Sequence, residues 1–462
     1  MMRVFVGREA ELETLNSVYG KGKAVLIYGR RRVGKTTLIE KFCEGRPTLF
    51  IQCLDSTLRS NLDYIHHMIT DFRKEDNGEY RNCLDMEKDL ARVCTDGNNI
   101  IVMDEYQYLL KADGSVDSFM QHLIDETLNK SNSTLILCGS SVSMMKSVGE
   151  DGKDLLHGRF RHRIHLQPLN LDECRVFHPE MPDHEQMMLY LTFGGIPRYH
   201  YESEEVSFES YFRRNCIENS WMADEALFLM KADHSSSGDC IAVLSAIARG
   251  YATPKGISER AGIGTRYVEV VRKLVDDEVL GIVNPMLGAP KRPIYFIRDD
   301  FLAFYFGVLQ YRMDLFRNKD SKKVYDELYP YLKTFMGMRF ELYCHDVVCR
   351  EYTALDIGRW WVNDTKRDIH EDIDIVARLS VGRFKVDLFA ECNFISKKVG
   401  FSQYNQLEKR VEPFTSHCNP CLMIISESGF EEEFEEYARS TGVLLVGPEE
   451  LYGHRPFPEI GL

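Results

Sequence analysis

The chain contains Gly29-Arg30-Arg31-Arg32-Val33-Gly34-Lys35-Thr36, which fits the P-loop pattern G-x-x-x-x-G-K-[ST]. The run at 24–28 just before it is short and apolar, as expected of a buried parallel strand. Residues 35–42 just after it carry apolar side chains at helical spacing. A strand, a glycine loop and a helix in this order predict a cradle for phosphate groups.

Each position in this loop has a predicted role. Gly29 and Gly34 allow a tight turn, so that backbone N–H groups and the helix N-terminus converge on phosphate oxygens. Lys35 is expected to reach the β and γ phosphates, and the Thr36 hydroxyl to bind Mg²⁺. Thr37 follows at the same helix start and is assigned to the same site. The predicted ligands are therefore ATP, or ADP after hydrolysis, with Mg²⁺.

Composition narrows the class of protein. With 462 residues, the length suggests about three domains. The chain has 57 basic and 71 acidic side chains and a net charge of −14, which argues against a protein that coats nucleic acid over its whole surface. No apolar stretch approaches the length of a membrane span, and the N-terminus lacks a signal-peptide core. We therefore expect a cytoplasmic protein, with its 13 cysteines reduced and mostly buried.

A second motif follows about 70 residues after the P-loop. The run Ile100-Ile101-Val102-Met103-Asp104-Glu105 places two carboxylates directly after four apolar residues, which is the Walker B pattern. A buried strand that ends at the phosphate edge of the sheet would let Asp104 hold Mg²⁺ through its water shell. Glu105 would then orient or deprotonate the attacking water.

Two further positions complete the predicted catalytic set. A third apolar strand, 133–139, leads to Ser140, which is expected to sense the γ-phosphate; an ordinary Gly-Ser-Ser turn is the alternative. Residues 157–163 form a basic cluster that includes Arg159. Arg159 is predicted to contact the γ-phosphate, in its own chain or a neighbour, although a solvated basic surface fits the cluster equally well.

Five motifs in order resemble the archaeal-type ATPase family, which belongs to the AAA+/STAND-like branch of P-loop NTPases. They are the P-loop, Phe5-Val6-Gly7-Arg8-Glu9-Ala10-Glu11-Leu12, Asp104-Glu105-Tyr106-Gln107, Cys138-Gly139-Ser140-Ser141 and Gly194-Gly195-Ile196-Pro197. The resemblance covers about residues 3–235. It implies that Gly7 and Arg8 lie near the adenine and ribose, and that Pro197 packs beside the base in a helical lid. It also implies a nucleotide-dependent switch more often than a fast motor.

Residues 238–298 have a different pattern. Three helices, over 241–248, over 255–261 and from Thr265, precede two apolar runs at 280–283 and 294–297, which together predict a winged helix. Residues 254–298 carry eight basic and five acidic side chains, a local charge of +3 in an acidic chain. Two functions stay open, namely contact with duplex DNA and relay of motion between domains. The DNA-contact candidates are Arg266, Tyr267, Arg272, Lys291 and Arg292.

The last third, from about 299, predicts a second α/β domain. It resembles the companion domain often fused to archaeal-type ATPases, which is similar to the PD-(D/E)XK nuclease fold. The acids Glu341, Asp374 and Glu391 are expected to offer a second Mg²⁺ site there. The resemblance departs from the nuclease motif at Asn393, which stands where that motif has lysine. Because of this departure, we expect weak or absent nuclease activity. The domain would then only bind nucleic acid or protein.

The sequence thus predicts an α/β protein with four parts. They are a P-loop ATPase core with a parallel sheet (1–165), a helical lid (166–237), a winged helix (238–298) and a nuclease-like α/β domain (299–462). The predicted function is an ATP-binding and ATP-hydrolysing switch that acts on DNA or on a protein partner. An ATP-gated, Mg²⁺-dependent DNA nuclease and a non-catalytic DNA-binding regulator are the alternatives.

Overall fold

The computed structural model describes residues 5–75, 78–150, 155–201, 205–219, 221–233, 238–288, 293–317, 320–364, 369–415 and 420–461. These residues form two compact units. The first unit comprises the described residues within Met1–Glu173 and Gly195–Glu202, and the second comprises those within Cys174–Gly194 and Ser203–Leu462. The residues of the predicted helical lid, 166–237, are therefore divided between the two units, and the four domain boundaries stay predictions.

A five-stranded parallel sheet organises the first unit. Its strands are β1 (Lys23–Tyr28), β2 (Thr48–Gln52), β3 (Ile100–Asp104), β4 (Thr134–Gly139) and β5 (His162–His165). Their order across the sheet is β2-β3-β4-β1-β5, and every neighbouring pair is parallel. All the strands therefore end at the same edge, with the P-loop strand β1 beside β4 and the Walker B strand β3 on the other side of β4.

Helices cover this sheet and bury its apolar residues. The helices are α1 (Glu9–Val18), α2 (Lys35–Cys43), α3 (Leu58–Arg73), α4 (Cys83–Thr95), α5 (Tyr106–Ala112), α6 (Val116–His122), α7 (Val142–Glu150) and, across the boundary to the second unit, α8 (Leu171–Arg175). Strands β3 and β4 are buried along their whole length, as expected for central parallel strands. The predicted α/β architecture with a parallel P-loop sheet is confirmed.

One strand of this sheet was not predicted. Residues 162 and 163 end the predicted basic cluster 157–163, yet residues 162–165 pair with β1 as the edge strand β5. Only Ile164 of this strand is fully buried. An edge strand of four residues that carries polar side chains gives little apolar signal, and pairing with β1 fixes its conformation instead.

The second unit begins with helices and a hairpin. Its helices up to residue 304 are α9 (Asp183–Phe193), α10 (Phe208–Phe212), α11 (Trp221–Asp233), α12 (Gly238–Ala248), α13 (Pro254–Ala261), α14 (Tyr267–Asp276) and α15 (Asp300–Phe304). Strands β6 (Leu280–Val283) and β7 (Ile294–Ile297) pair in an antiparallel hairpin after α14. The three helices and two strands that the sequence predicts over 238–298 are thus confirmed. No described helix is both long and apolar enough to cross a lipid bilayer.

A mixed five-stranded sheet forms the end of the second unit. Its strands are β8 (Ala354–Asp364), β9 (Ile369–Val381), β10 (Phe384–Asn393), β11 (Pro420–Ser426) and β12 (Leu444–Val446), in the order β12-β11-β10-β9-β8. Strands β8, β9 and β10 pair antiparallel, whereas β10, β11 and β12 are parallel. The helices that accompany it are α16 (Ser321–Glu351), α17 (Phe401–Val411), α18 (Glu432–Thr441) and α19 (Pro448–Leu451).

Helix α16 is longer than the sequence predicts. The sequence pattern predicts a helix over 336–348, but the helix begins at Ser321 and continues through Pro330. Proline in a helix interior normally ends or bends the helix. Here Leu328 and Leu332, on either side of Pro330, are fully buried, and tertiary packing of such an apolar face outweighs the local penalty.

Candidate functional site

The candidate nucleotide site lies where three neighbouring strands of the first sheet end. Tyr28 of β1 pairs with Gly139 of β4, and Met103 of β3 pairs with Leu137. The P-loop follows β1, Asp104 ends β3 with Glu105 directly after it, and Ser140 follows β4. The fold therefore brings together three motifs that are more than 30 residues apart in sequence.

The P-loop has the backbone that its glycines predict. Gly29 and Gly34 have φ angles of +156° and +99°, which residues with a Cβ rarely adopt. A Cβ on Gly29 would lie 2.3 Å from the carbonyl oxygen of Leu166. Helix α2 begins directly after Gly34, so the free N–H groups of its first turn point toward the loop, where a phosphate would bind.

Lys35 is buried beneath this loop. Its exposed fraction is 6%, and its Nζ donates hydrogen bonds to the carbonyl oxygens of Gly29 (2.8 Å) and Arg30 (3.0 Å). These bonds hold the ammonium group inside the turn where phosphate oxygens are expected. A buried cation of this kind is a strong partner for anionic oxygens, because the surrounding protein screens it less than water does.

Thr36 and Asp104 meet across the strand ends. The Thr36 hydroxyl donates to Oδ2 of Asp104 at 3.0 Å, and Oδ1 of Asp104 accepts from the N–H of Glu105 at 3.0 Å. A hydroxyl oxygen and a carboxylate oxygen so close together are a donor set that suits Mg²⁺. This ion usually takes one or two protein oxygens and completes its shell with water and substrate phosphates. The residues present therefore fit the predicted metal.

Glu105 lies at the centre of a polar network. Its Oε2 accepts from the hydroxyl of Ser140 at 2.7 Å and from Nε2 of Gln107, and its Oε1 lies 3.9 Å from Nη1 of Arg31. Burial alone would raise the pKa of Glu105, but Lys35, Ser140, Gln107 and Arg31 together hold the pKa of Glu105 below its ordinary value. The carboxylate is therefore ionised at neutral pH.

The backbone of Glu105 is also unusual. Its φ angle is +54°, in the left-handed region that a residue with a side chain seldom occupies. Backbone strain of this kind is common at functional sites, where the surrounding structure holds the residue in its conformation. Here Glu105 joins the buried strand β3 to helix α5, and the turn directs its carboxylate toward Ser140.

The residues assigned to the base and ribose approach the P-loop from two sides. Arg8 donates from Nη2 to the carbonyl oxygen of Val33 (3.2 Å), and to that of Gln167 (2.7 Å). Gly7 has a φ angle of +64°. A Cβ on Gly34 would lie 3.9 Å from Cγ of Pro197, which is buried at the start of a short helical turn. Gly7, Arg8 and Pro197 are thus grouped with the loop, and their contacts to a nucleotide stay predictions.

Two other assigned residues stand apart from this network. Thr37 is half-buried on α2, next to Thr36. The guanidinium of Arg159 pairs with both carboxylate oxygens of Asp125, the closest pair being Nη2 and Oδ2 at 2.6 Å. No contact joins Arg159 to Lys35 or Glu105 among the described residues, so its role at the γ-phosphate stays a prediction.

Sequence reasoning missed three residues around Glu105. Gln107 donates hydrogen bonds to both Glu105 and Ser140. Nη2 of Arg31 donates to the hydroxyl of Tyr108 at 2.5 Å, and Nη1 of Arg31 lies 3.9 Å from Oε1 of Glu105. The motif Asp104-Glu105-Tyr106-Gln107 contained the signal for Gln107. A polar residue two positions after Glu105, in the first turn of α5, can fold back over the strand end.

The C-terminal acids have different partners. Arg359 of β8 donates from Nη1 to Glu341 of α16 (2.9 Å) and from Nη2 to Asp374 of β9 (3.1 Å). Arg410 of α17 donates to Glu391 of β10 at 3.0 Å. Each of the three acids therefore has a guanidinium group as a hydrogen-bond partner.

The second Mg²⁺ site at Glu341, Asp374 and Glu391 stays a prediction, and in the structure the partners of these acids are arginines. Among the described residues, no group of three or more His, Cys, Asp or Glu side chains is placed to hold a metal ion. Burial and the nearby Asp374 raise the pKa of both Glu341 and Glu391 to about 7. Asn393 stands at the lysine position of the nuclease motif. Its buried amide nitrogen has no hydrogen-bond partner among the described residues.

The predicted DNA-contact residues lie in and beside α14. Arg272 and Arg266 are exposed, and Nη1 of Arg266 is 3.0 Å from Oδ2 of Asp239. Tyr267 is half-buried at the helix start. Lys291 and Arg292 lie outside the described residues.

The comparisons with known proteins agree with this geometry. Residues 5–202 match the family described as an ATPase domain predominantly from Archaea, and residues 305–403 match a family of archaeal and bacterial proteins of unknown function. An uncharacterized protein of Methanocaldococcus jannaschii is 27% identical over 391 residues, which are 81% of this chain and 84% of that protein. An uncharacterized ATP-binding protein of the same organism is 51% identical over 45 residues, or 9% of this chain and 76% of that protein.

A solved structure with a TM-score above 0.5 shows a similar fold. A Walker-type ATPase of Pyrococcus abyssi has a TM-score of 0.51 at 18% identity, over 65% of this chain and 96% of that chain. The ORC2 protein of Aeropyrum pernix, solved with ADPNP and ADP, has a TM-score of 0.45 at 14% identity, over 71% of this chain and 94% of that chain. With its P-loop, its Walker B acids and the family match at 5–202, this part of the chain is a domain of the archaeal-type P-loop ATPase family.

Proposed function

We propose that the first unit binds ATP with Mg²⁺ and hydrolyses it, and that the nucleotide state regulates the second unit. One observation carries this proposal. The buried Lys35, the Thr36–Asp104 pair and the ionised Glu105 beside Ser140 converge at one edge of the sheet. A cation for the phosphates, oxygens for the metal and a base for water are the parts that phosphoryl transfer to water needs.

The residues divide the work as follows. Lys35 binds the β and γ phosphates, and Thr36 and Asp104 hold the metal, which when bound neutralises charge on those phosphates. Water attacks the γ phosphorus, the bond from that phosphorus to the bridging oxygen breaks, and ADP leaves. Glu105 takes the proton that the attacking water loses, because its lowered pKa keeps it ionised. Ser140, bonded to Glu105 at 2.7 Å, links that base to the γ-phosphate end of the site.

The test is turnover in Glu105→Gln. The amide keeps the shape of the side chain and loses its basicity, so kcat is expected to fall by about 100-fold or more. The affinity for a non-hydrolysable ATP analogue should change little. Glu341→Gln is the matched control, since it makes the same substitution at the arginine-paired acid of the second unit and should leave kcat unchanged.

The outcome separates binding from hydrolysis. Wild-type turnover in Glu105→Gln would remove Glu105 from the role of base. A wild-type protein that binds ATP but shows no turnover under any condition would reduce the function to nucleotide binding.

A second function has one supporting observation. We propose that α12–α14 and the β6–β7 hairpin act as a winged helix that binds duplex DNA weakly. The region 254–298 has a local charge of +3 in a chain of net charge −14, and Arg272 is exposed on α14. Contacts of this kind with phosphates are sequence-independent and release counterions.

DNA binding is tested by its charge and salt dependence. Binding of a fluorescent duplex should weaken steeply between about 50 and 200 mM salt, and it should weaken further in Arg266→Glu/Arg272→Glu. Arg439→Glu, a reversal at an exposed arginine of α18, is the control and should have no such effect. No binding at low salt, with or without ATP, would favour a relay between domains.

A further inference from the structure

Gln107 is a buried amide that neither the P-loop nor the Walker B pattern assigns to the site. It lies in the first turn of α5, and only 1% of it is exposed. Both hydrogens of its Nε2 are used at the site, one toward Oε2 of Glu105 and one toward the hydroxyl of Ser140 at 3.0 Å. Ser140 in turn donates to the same Oε2 at 2.7 Å. The three side chains close a triangle around one oxygen of the proposed base.

The chemistry of the neighbours fixes the orientation of this amide. An ionised carboxylate only accepts hydrogen bonds, so the nitrogen of Gln107, and not its oxygen, has to face Glu105. The amide oxygen Oε1 is turned the other way and has no hydrogen-bond partner among the described residues. A buried acceptor without a partner costs stability. The fold tolerates that cost, which points to a role for the donor end.

The neighbouring strand leaves room for this side chain. A Cβ on Gly139, the last residue of β4, would lie 2.3 Å from Oε1 of Gln107. Glycine at 139 therefore lets the glutamine lie directly under the strand end that presents Ser140. The amide is held by packing on one side and by two hydrogen bonds on the other.

We propose that Gln107 is a positioning residue for ATP hydrolysis, which fixes the Glu105 carboxylate through Oε2 so that Oε1 receives the proton of the attacking water. Oε1 is the oxygen that faces the P-loop, with Nη1 of Arg31 at 3.9 Å, a distance beyond a hydrogen bond. This inference rests on the proposed hydrolysis and assigns no contact between Gln107 and the nucleotide. A fixed carboxylate lowers the barrier because the base no longer has to be oriented at the moment of reaction.

The test uses Gln107→Met, which keeps the length of the side chain, removes both donor hydrogens and also removes the unpartnered oxygen. We expect kcat to fall by about 10- to 100-fold while the affinity for an ATP analogue with Mg²⁺ stays within about 2-fold, because a lost orientation acts on the chemical step. Gln107→Glu, with an acceptor in place of the donor, should lower kcat further, since it loses the hydrogen bond to Oε2 and adds a second carboxylate beside it. Gln121→Met on α6 is the control and should change neither quantity.

A second readout does not depend on turnover. The ¹³C chemical shift of the Glu105 carboxyl at one neutral pH, assigned by its loss in Glu105→Gln, should change in Gln107→Met, because Oε2 loses a hydrogen bond. A folded Gln107→Met with unchanged kcat and an unchanged chemical shift would overturn the proposal, as would a rise in kcat. A parallel collapse of analogue affinity and thermal stability would show a packing role instead and would also overturn it. If the wild type itself lacks turnover, hydrolysis fails as a function, and an unchanged chemical shift would then show that Gln107 does not hold Glu105 either.

Discussion

Two groups of carboxylates, one in each unit, lie on or next to sheet strands and have opposite properties. Asp104 ends a buried strand of the first sheet and Glu105 follows it, whereas Asp374 and Glu391 lie within strands of the second. At the first place, a lysine, a hydroxyl and an amide hold the pKa of Glu105 below its ordinary value. At the second, burial and neighbouring acids raise the pKa of Glu391 to about 7.

The partners, and not the acids, account for this difference. Around Glu105 the polar groups leave one carboxylate oxygen near the P-loop, where a substrate can reach it. Around Glu341 and Asp374, the single guanidinium of Arg359 occupies the space between the carboxylates. A catalytic site keeps an open position for its substrate, whereas a structural cluster satisfies its charges internally.

The largest effect is expected at the first place, in Lys35→Ala. The variant loses the one side chain that brings a buried cation to the β and γ phosphates, so affinity for ATP with Mg²⁺ should fall by about 100-fold or more. Isothermal calorimetry on the folded variant measures this loss. Lys41→Ala, at an exposed lysine on the same helix, is the control. Unchanged affinity in Lys35→Ala would show that the P-loop is not the nucleotide site. The contrast between the two acid groups would then lose its basis.

A smaller effect on stability is expected at the second place, in Arg359→Met. Removal of the guanidinium leaves Glu341, Asp372 and Asp374 without their shared cation. Breaking such a partly buried network should cost about 2 kcal/mol or more of the free energy of unfolding. Urea denaturation followed in the second unit measures the change, and ATP turnover by the first unit should survive it. A variant as stable as the wild type would show that the acids do not depend on Arg359.

The pH dependence of stability should have opposite signs in the two groups. A carboxyl whose pKa is raised on folding stabilises the protein fully below its unfolded value of about 4.5 and loses that contribution as pH rises through about 7. A carboxyl with a lowered pKa contributes above its unfolded value and loses that contribution as pH falls. Glu341→Gln should therefore raise the Tm of the second unit at pH 8, by about 2–4 °C for a gain near 1 kcal/mol.

Glu105→Gln is the matched comparison and should lower the Tm of the first unit at pH 8, where the ionised wild-type carboxylate is stabilising. Scanning calorimetry of both variants at pH 5 and pH 8 checks the two signs. Shifts in the same direction in the two variants would contradict the assignment of opposite environments.

Much of the fold follows from local patterns in the sequence. The glycines at 29 and 34 and the apolar runs of β1, β3 and β4 predict the sheet edge with its Walker residues, since glycine spacing and strand burial are local signals. The helices and hairpin of 238–298 follow in the same way from caps, turns and spacing. Strand β5 and the passage of α16 through Pro330 were missed, because edge pairing and tertiary packing override weak or contrary local propensity.

The partners of the site residues are harder to predict than the residues themselves. The sequence predicts Glu105 as a base from its place after β3, but it does not show that Gln107 and Ser140 share one of its oxygens. It predicts Glu391 as a metal ligand, but it does not show that Arg410, 19 residues later on α17, pairs with it. Contacts between elements depend on the packed fold, which no short motif specifies.

The ¹³C titration of individual glutamate carboxyls, assigned by Glu→Gln substitution, measures the difference between the two acid groups in one sample. Glu105 should titrate below its ordinary pKa, while Glu341 and Glu391 should both titrate near pH 7 in the same folded protein. Titration of all three near the ordinary glutamate pKa of about 4.5, or a Glu105 that titrates above Glu341 and Glu391, would contradict the distinction between the proposed base and the arginine-paired cluster.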